Sequence, residues 1–369
     1  MKSLLRTRRA RWAVPTAVAA GLAMAIGSGV VLAGASSPDL PERTPAELIA
    51  QIHESEPQPF SGTLVQTSRL GLPDLPGMGD RDHETSLLSM LTGSNTARIW
   101  YASPEQARFA LMGAFDETNV IRDGSDVWVW YSSSNTADHL VLPPGLGAGD
   151  RPMVPHEPLT PAEAADRMLA KLDDSTVVTV DGTAEVAGRA AYELVVAPRD
   201  DRSLIEDVRL SIDADTSMPL RFEVNAAGAE DPAFEVGFTS VKFTEPSADT
   251  FRFNPPPDAT INERSLADLL AMEQDKRNGH GGFVSSPPTV IGEGWTSVLV
   301  ISDLEVPAGD DSGMLDALLG AGSVVTGPFG TGLLFETALV SALWLEDGTL
   351  LIGAVTPDVL EAAAEEAVR

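Results

Sequence analysis

The chain has 369 residues, 43% of them hydrophobic, which suffices for one large packed domain and a smaller one, and it has no cysteine. That excludes disulfides, thiolate metal sites, a cysteine nucleophile and a cysteine-lipidated N-terminus. The net charge is −29; removing the five basic residues that precede position 36 leaves 20 basic against 54 acidic residues, a formal −34. A body of that charge repels nucleic-acid backbones and anionic headgroups, so no nucleic-acid partner is expected and a lipid has to be recognised through its chains.

Those five residues, Lys2, Arg6, Arg8, Arg9 and Arg11, open a segment that continues uncharged and apolar from Trp12 to Ala33 and ends in Ala33-Gly34-Ala35. Residues 1–35 read as a cleaved signal peptide or as an N-terminal membrane anchor, since 22 uncharged residues approach a membrane span. In both cases the basic end stays in the cytoplasm. The body is then extracytoplasmic, secreted or anchored to the outer face of the cytoplasmic membrane.

After a short tether, Ser36 to Pro41, Thr44-Pro45-Ala46-Glu47 has the capping-box signature of a helix start, with Thr44 as N-cap and Pro45 at the first helical position. The signature recurs at Thr160-Pro161-Ala162-Glu163 and, without the closing Glu, at Thr356-Pro357-Asp358, predicting three helices. Phe60 to Thr67 is the first predicted strand. A Gly/Pro-rich excursion follows, and then an apolar helical candidate, Thr85 to Leu91. Its Leu87, Leu88, Met90 and Leu91 suit a lid over an apolar groove or a patch on the main core.

From Arg98 to Pro143 the chain reads as an antiparallel meander. Short runs of β-branched and aromatic residues are separated by Ser103-Pro104, by Asp123-Gly124 and finally by Pro143-Pro144. In Val127–Tyr131 both faces are apolar, with Val127, Val129 and Tyr131 on one side and Trp128 and Trp130 on the other. Such a strand is covered twice, on the concave side by helices or ligand and on the convex side by an insert or a C-terminal domain.

A second series of strands runs from Val177 to Phe243. Tyr192, Leu194 and Val196 share a face, as do Val208, Leu210 and Ile212, then Leu220, Phe222 and Val224, then Phe234, Val236 and Phe238. Glu193, Arg209, Arg221, Glu223 and Glu235 alternate with them. One wet and one apolar face define a half-buried antiparallel sheet. The parity slips near Ser240, which predicts a β-bulge. The sheet region ends at Asn254-Pro255-Pro256-Pro257; a helical candidate (Ser265–Glu273) and a polar linker lead to a small α+β module with a strand, a helix at Met314–Leu319, a hairpin turning at Asp347-Gly348, and the final helix.

The five histidines are scattered, and none has the spacing of a helical zinc site or the context of a nucleophile elbow. Asp213-Ala214-Asp215 lacks the Gly and terminal Glu of a calcium loop and reads as a turn. No catalytic residue, metal or cofactor is expected. The fold class expected is α+β: an unclosed antiparallel β-barrel (half-barrel) covered by helices, plus a small C-terminal α+β domain. Residues 44–257 form the half-barrel, 258–291 a helix and linker, and 292–369 the small domain. The candidate ligand-binding residues are those of the apolar face: Leu64, Phe109, Leu111, Tyr192, Leu194, Val208, Leu210, Leu220, Phe222, Phe234, Val236 and Phe238. The alternative is that the helices fill the concavity.

Three stretches carry a family resemblance: Phe60-Ser61-Gly62-Thr63-Leu64-Val65-Gln66, the Arg98–Pro143 meander with Arg122-Asp123-Gly124, and Val208–Leu220 with Asp213-Ala214-Asp215-Thr216-Ser217-Met218-Pro219. From about Thr44 to Pro257 the chain resembles the superfamily of periplasmic lipoprotein carriers (LolA-like) and RseB-like sigma-factor regulators. Its inserts and C-terminal module resemble actinobacterial members. The resemblance implies a half-barrel whose concave face, covered by helices, accepts acyl chains. It implies an acyl-chain lipid or lipoprotein as partner or, for a regulator, a membrane-bound anti-sigma factor reached through the C-terminal domain. No acyl-contacting residue is carried over individually.

Overall fold

The computed structural model describes residues 38–71, 92–113, 116–143, 160–169, 172–265, 288–302 and 322–368. The N-terminal segment 1–35, the lid candidate with Leu87, Leu88, Met90 and Leu91, the greater part of Ser265–Glu273 and the Met314–Leu319 helix lie outside the described residues. Among the described residues, no helix is long and apolar enough to cross a membrane.

Helix α1, Pro45–Glu54, starts as its capping box dictates: Thr44 Oγ1 accepts from Glu47 N at 3.3 Å, and Glu47 Oε2 accepts from Thr44 N at 2.8 Å. Helices α2, Pro161–Leu169, and α3, Pro357–Ala367, begin at the prolines of the two other signatures. At α3 the N-cap Thr356 makes no side-chain cap bond.

The strands β1 (Phe60–Arg69), β2 (Thr92–Ser103), β3 (Gln106–Met112), β4 (Glu117–Asp123), β5 (Asp126–Tyr131) and β6 (Thr136–Val141) form the first half of a 12-stranded sheet. Then β7 (Thr176–Val186), β8 (Arg189–Pro198), β9 (Ile205–Asp213), β10 (Pro219–Ala226) and β11 (Phe234–Lys242) form the second half. The order is β12-β6-β5-β4-β3-β2-β1-β11-β10-β9-β8-β7, with β12 at Thr260–Arg264. Two meanders meet at one seam, where β1 pairs antiparallel with β11. The outermost strands are not joined, so the sheet is a large unclosed one.

Local chemistry sets the turns and bends. Gly124, at φ 66°, turns the β4–β5 hairpin in two residues, a conformation that L side chains rarely adopt. The bulge expected near Ser240 is at Thr239: Thr63 pairs with Ser240 and Leu64 with Phe238, so Thr239 is the extra residue. The seam is tight there. A Cβ on Gly62 would stand 2.7 Å from Ser240 O and 2.8 Å from the Phe238 ring. Asp213 organises the β9–β10 turn: its Oδ1 accepts from Asp215 N at 3.1 Å, Thr216 N at 2.8 Å and Arg189 Nη2 at 2.9 Å. Arg189 Nε donates to its other oxygen. The motif is a turn, as its sequence predicts.

Beyond Pro257 the sheet takes one strand more than the sequence suggests. After β11 the chain crosses the convex face as a strap. Phe251 is buried, and the strap's Thr250 O accepts from Arg108 Nη1 of β3 at 3.2 Å. Phe253 lies 5.3 Å from Trp128 and 5.8 Å from Trp130, ring centre to ring centre. The strap ends as β12, paired parallel to β6. Among the described residues, the second cover of β5 is therefore this strap.

The C-terminal strands β13 (Thr289–Ile291), β14 (Val298–Ile301), β15 (Ser323–Gly327), β16 (Gly330–Glu336), β17 (Ser341–Leu345) and β18 (Leu350–Gly353) form a 6-stranded antiparallel sheet, ordered β13-β14-β18-β17-β16-β15. Helix α3 covers one face through Leu360, Ala363 and Ala364, which share a core with Val298, Val300, Leu343 and Leu351. This sheet meets the loop after β8: Leu204 N donates to Ala354 O at 3.0 Å and Thr356 N to Arg202 O at 3.0 Å, with Ser203 bridged to Val355.

Candidate functional site

Side chains alternate across a strand, so the register assigns each residue to a face. Across β1, Phe60, Gly62 and Leu64 sit opposite Tyr101, Ile99 and Ala97 of β2, and Ala97, Ile99 and Tyr101 in turn face Leu111, Phe109 and Ala107 of β3. On the other side of the seam, Leu64 pairs with Phe238, and Phe222 with both Val236 and Leu210. Leu210 pairs with Leu194. The twelve residues expected on the apolar face do come together. Leu64, Phe109, Tyr192, Leu194, Val208, Leu210, Leu220, Phe222, Val236 and Phe238 are buried members of one core, and Leu111, Phe234 pack against it half-buried.

Residues that the alternation did not single out complete this face. Phe60 is 1% exposed and stands edge-on to Phe238 at 5.9 Å and tilted against Tyr101 at 5.8 Å. Ile99, Tyr101 and Met218 join it. The signal in Phe60-Ser61-Gly62-Thr63-Leu64 is a period of two, but Gly62 interrupts it, and β2's parity is only fixed by pairing with β1. The opposite end of the face is polar: Gln66 and Ser68 are buried there, opposite Asn95 and Gly93. The Asn95 Nδ2 is buried and makes no hydrogen bond among the described residues.

Two helices fill the concavity. Leu48 and Ile52 of α1 and Ala162, Ala165 and Leu169 of α2 belong to the same core as the sheet residues. The N-terminal stretch is laid along the far edge, where Pro41 O accepts from Tyr192 Oη at 3.0 Å and Pro38 O from Thr183 Oγ1 at 2.7 Å. A cavity of about 10 Å³ persists where Phe60, Ile99, Met218 and Phe238 meet the start of α2. That holds no more than one water. Tyr101, whose ring packs against Phe60 of this lining, has its pKa pushed up to about 12 by burial and then by Glu105. What the face offers is apolar area behind short helices.

The convex face is built differently. Arg209 contacts Asp181 at 3.0 Å and Asp207 at 3.2 Å, and Arg221 contacts Glu193 at 3.2 Å. Glu223 lies between them with its pKa raised, by burial foremost, partly offset by Arg221 and reinforced by Glu235 and Glu193. These charges match the wet face that the alternation predicts.

An unclosed, mostly antiparallel half-barrel with a helix-filled concave face is thus the architecture of this chain. No family model and no curated protein matches it. Among solved structures, the chain is similar to one in the Pseudomonas aeruginosa MucA/MucB complex, at 15% identity over 87% of this chain and 96% of that one, with a TM-score of 0.40. It is also similar to a LolA superfamily protein from Nitrosomonas europaea (12% identity, 57% of this chain, 99% of that one, TM-score 0.21). A third similar structure is a putative outer membrane lipoprotein-sorting protein domain from Vibrio parahaemolyticus (10% identity, 56% and 94%, TM-score 0.17). The fold assignment itself rests on the strand order given above.

Proposed function

We propose that this chain is a non-catalytic, extracytoplasmic lipid- or lipoprotein-binding protein that holds acyl chains against the concave face of the half-barrel. The supporting observation is how that face is covered. Helix α2 has 9 residues, and its buried side chains Ala162, Ala165 and Leu169 lie in the core shared with β10. Lifting it exposes one leucine, two alanines and the area beneath, a cost of about 5 kcal/mol at ~25 cal/mol per Å². An acyl chain of about 14 carbons gains ~0.8 kcal/mol per buried CH₂, or roughly 10 kcal/mol, when it takes that place. The exchange favours the acyl chain.

Native mass spectrometry of the purified extracytoplasmic portion, before and after solvent extraction, tests this. A bound acyl species, or uptake of a fluorescent fatty acid by the extracted protein, is expected. A folded protein that carries no acyl species and takes up none overturns the reading.

The second reading is a regulator of RseB type that senses envelope lipids or proteins and binds a membrane anti-sigma factor through a C-terminal α+β domain. What favours it is the face of the 6-stranded sheet turned away from α3, where Val290, Leu299 and Val324 are 61%, 36% and 71% exposed. Exposed apolar side chains across several strands suit a protein contact. In the full-length protein, Val290→Glu together with Val324→Glu should abolish retention of a single-pass membrane partner while leaving lipid uptake intact. Undiminished retention rules this reading out.

A further inference from the structure

His139 lies on the convex side of β6, between two acids from different strands. Its Nε2 is 2.9 Å from Asp126 Oδ1 of β5, and its Nδ1 is 2.9 Å from Glu263 Oε2 of β12. The imidazole stacks on Trp128, ring centres 3.9 Å apart and planes at 12°, which fixes its orientation. Its side chain is 14% exposed, so both nitrogens are committed to these partners.

A neutral imidazole carries one N–H, and a carboxylate at these distances only accepts. Both contacts are hydrogen bonds only when the ring is an imidazolium. Once it is neutral, one ring lone pair faces a carboxylate oxygen and that contact becomes repulsive. Among the described residues no other charge takes over. The strap presents Phe253 to Trp128, and its Arg252 is held by Asp249. Arg264 of β12 pairs with Asp138, which alternates to the opposite face of β6.

The two partners are not equally fixed. Asp126 belongs to a strand paired on both sides, whereas Glu263 is 72% exposed on a strand that, among the described residues, pairs with β6 alone. We propose that His139 is a proton-operated latch: as an imidazolium it fastens β12 to the half-barrel through Glu263, and on losing its second proton it loosens that strand. β12 keeps its parallel pairing with β6, the Asn262 Nδ2 donation to Asp138 Oδ1 at 2.8 Å, and the Arg264–Asp138 pair. None of these contacts involves the imidazole. The strand therefore loosens without leaving the sheet. Since β12 is the last strand of the half-barrel before the connection to β13, the latch makes that junction sensitive to external acidity.

The test is amide hydrogen exchange on the full chain at pH 5.5 and 7.5, corrected for intrinsic rates, comparing Thr260–Arg264 with the β4–β5 amides. A partly exposed pair of this kind changes an opening equilibrium by roughly two- to fivefold. Opening of β12 should rise by that factor from pH 5.5 to 7.5 while β4–β5 stays constant. In Glu263→Gln the rise should vanish, because a carboxamide donates to or accepts from Nδ1 in either ring state. Nitrogen chemical shifts of His139 should show both nitrogens protonated at pH 5.5 in the wild type. A pH-independent β12 in the wild type, or an equal rise in Glu263→Gln, overturns the latch.

Discussion

The indole Nε1 of Trp295 donates to Thr176 Oγ1 at 2.9 Å, joining the start of the C-terminal sheet to the first residue of β7. The ring also packs against the half-barrel core. Next to it Gly294, at φ 61°, is so close to Ser175 that a Cβ would meet its Oγ at 2.3 Å. Trp295→Phe keeps most of the apolar contact and removes the donor. Equilibrium urea unfolding should show a loss of about 0.5–1.5 kcal/mol. Thr176→Val should cost a similar amount, and the double variant little more than either, because the two groups form one interaction.

The seam between β1 and β11 predicts a sharp intolerance at Gly62. An added methyl meets Ser240 O, which is backbone and cannot rotate away, as well as the Phe238 ring. Gly62→Ala should therefore destabilise by roughly 1–3 kcal/mol as an overpacking change, and Gly62→Val by more. Thermal denaturation of the two variants checks the order; a neutral Gly62→Val would show that the seam gives way.

Asp213 makes the β9–β10 turn sensitive to acid. Its side chain is fully buried, and burial raises its pKa, but the bonds from Arg189 and from Thr216 outweigh this and bring it below the usual carboxylate range. A group depressed in the folded state stabilises the fold fully above its unfolded value, about 3.9, and loses that contribution as pH falls toward the folded value. Asp213→Asn should cost about 2–4 kcal/mol at pH 7, since it leaves Arg189 without its buried partner. The variant should also lose less stability than the wild type between pH 4 and 2, as followed by circular dichroism.

Alkali acts on Tyr101. Its folded-state pKa is raised to about 12, against about 10 in an unfolded chain. Its contribution is thus complete below pH 10 and lost as pH climbs toward 12. In an ultraviolet titration of the three tyrosines, one phenolate should appear only as the protein unfolds. Tyr101→Phe should abolish that late step.

The strands legible in the sequence were those with one wet face. In β8 to β11 charged or polar residues alternate with the face residues, apart from Val195 in β8 and the bulge at Thr239 in β11, and eleven of the twelve face residues follow from these strands or from β3. Thr260-Ile261-Asn262-Glu263-Arg264 shows no such period, because β12 is held by backbone pairing and by Asp138 and His139, partners distant in sequence. In β15 and β16 the glycines at 327, 330 and 332 hid the strand signal; Gly332 is there because Leu343 and Leu345 lie where its Cβ would go. Phe60 and Ile99 could be assigned to the concave face only through the β1–β2 register. Local pattern reports burial of one strand against solvent, whereas the site is made where two strands' patterns are aligned.

The position of the seam has a consequence for the order in which this protein is made. β1 has its second neighbour only when Phe234–Lys242 exists, about 180 residues after Ser61 has emerged. Until then one long edge of β1, with Leu64 and Val65, is an unpaired template for foreign strands. Contacts of such separation also form slowly. A nascent or translocating chain therefore carries an open edge through most of its length, and holding that edge off from neighbours is a task for whatever escorts it.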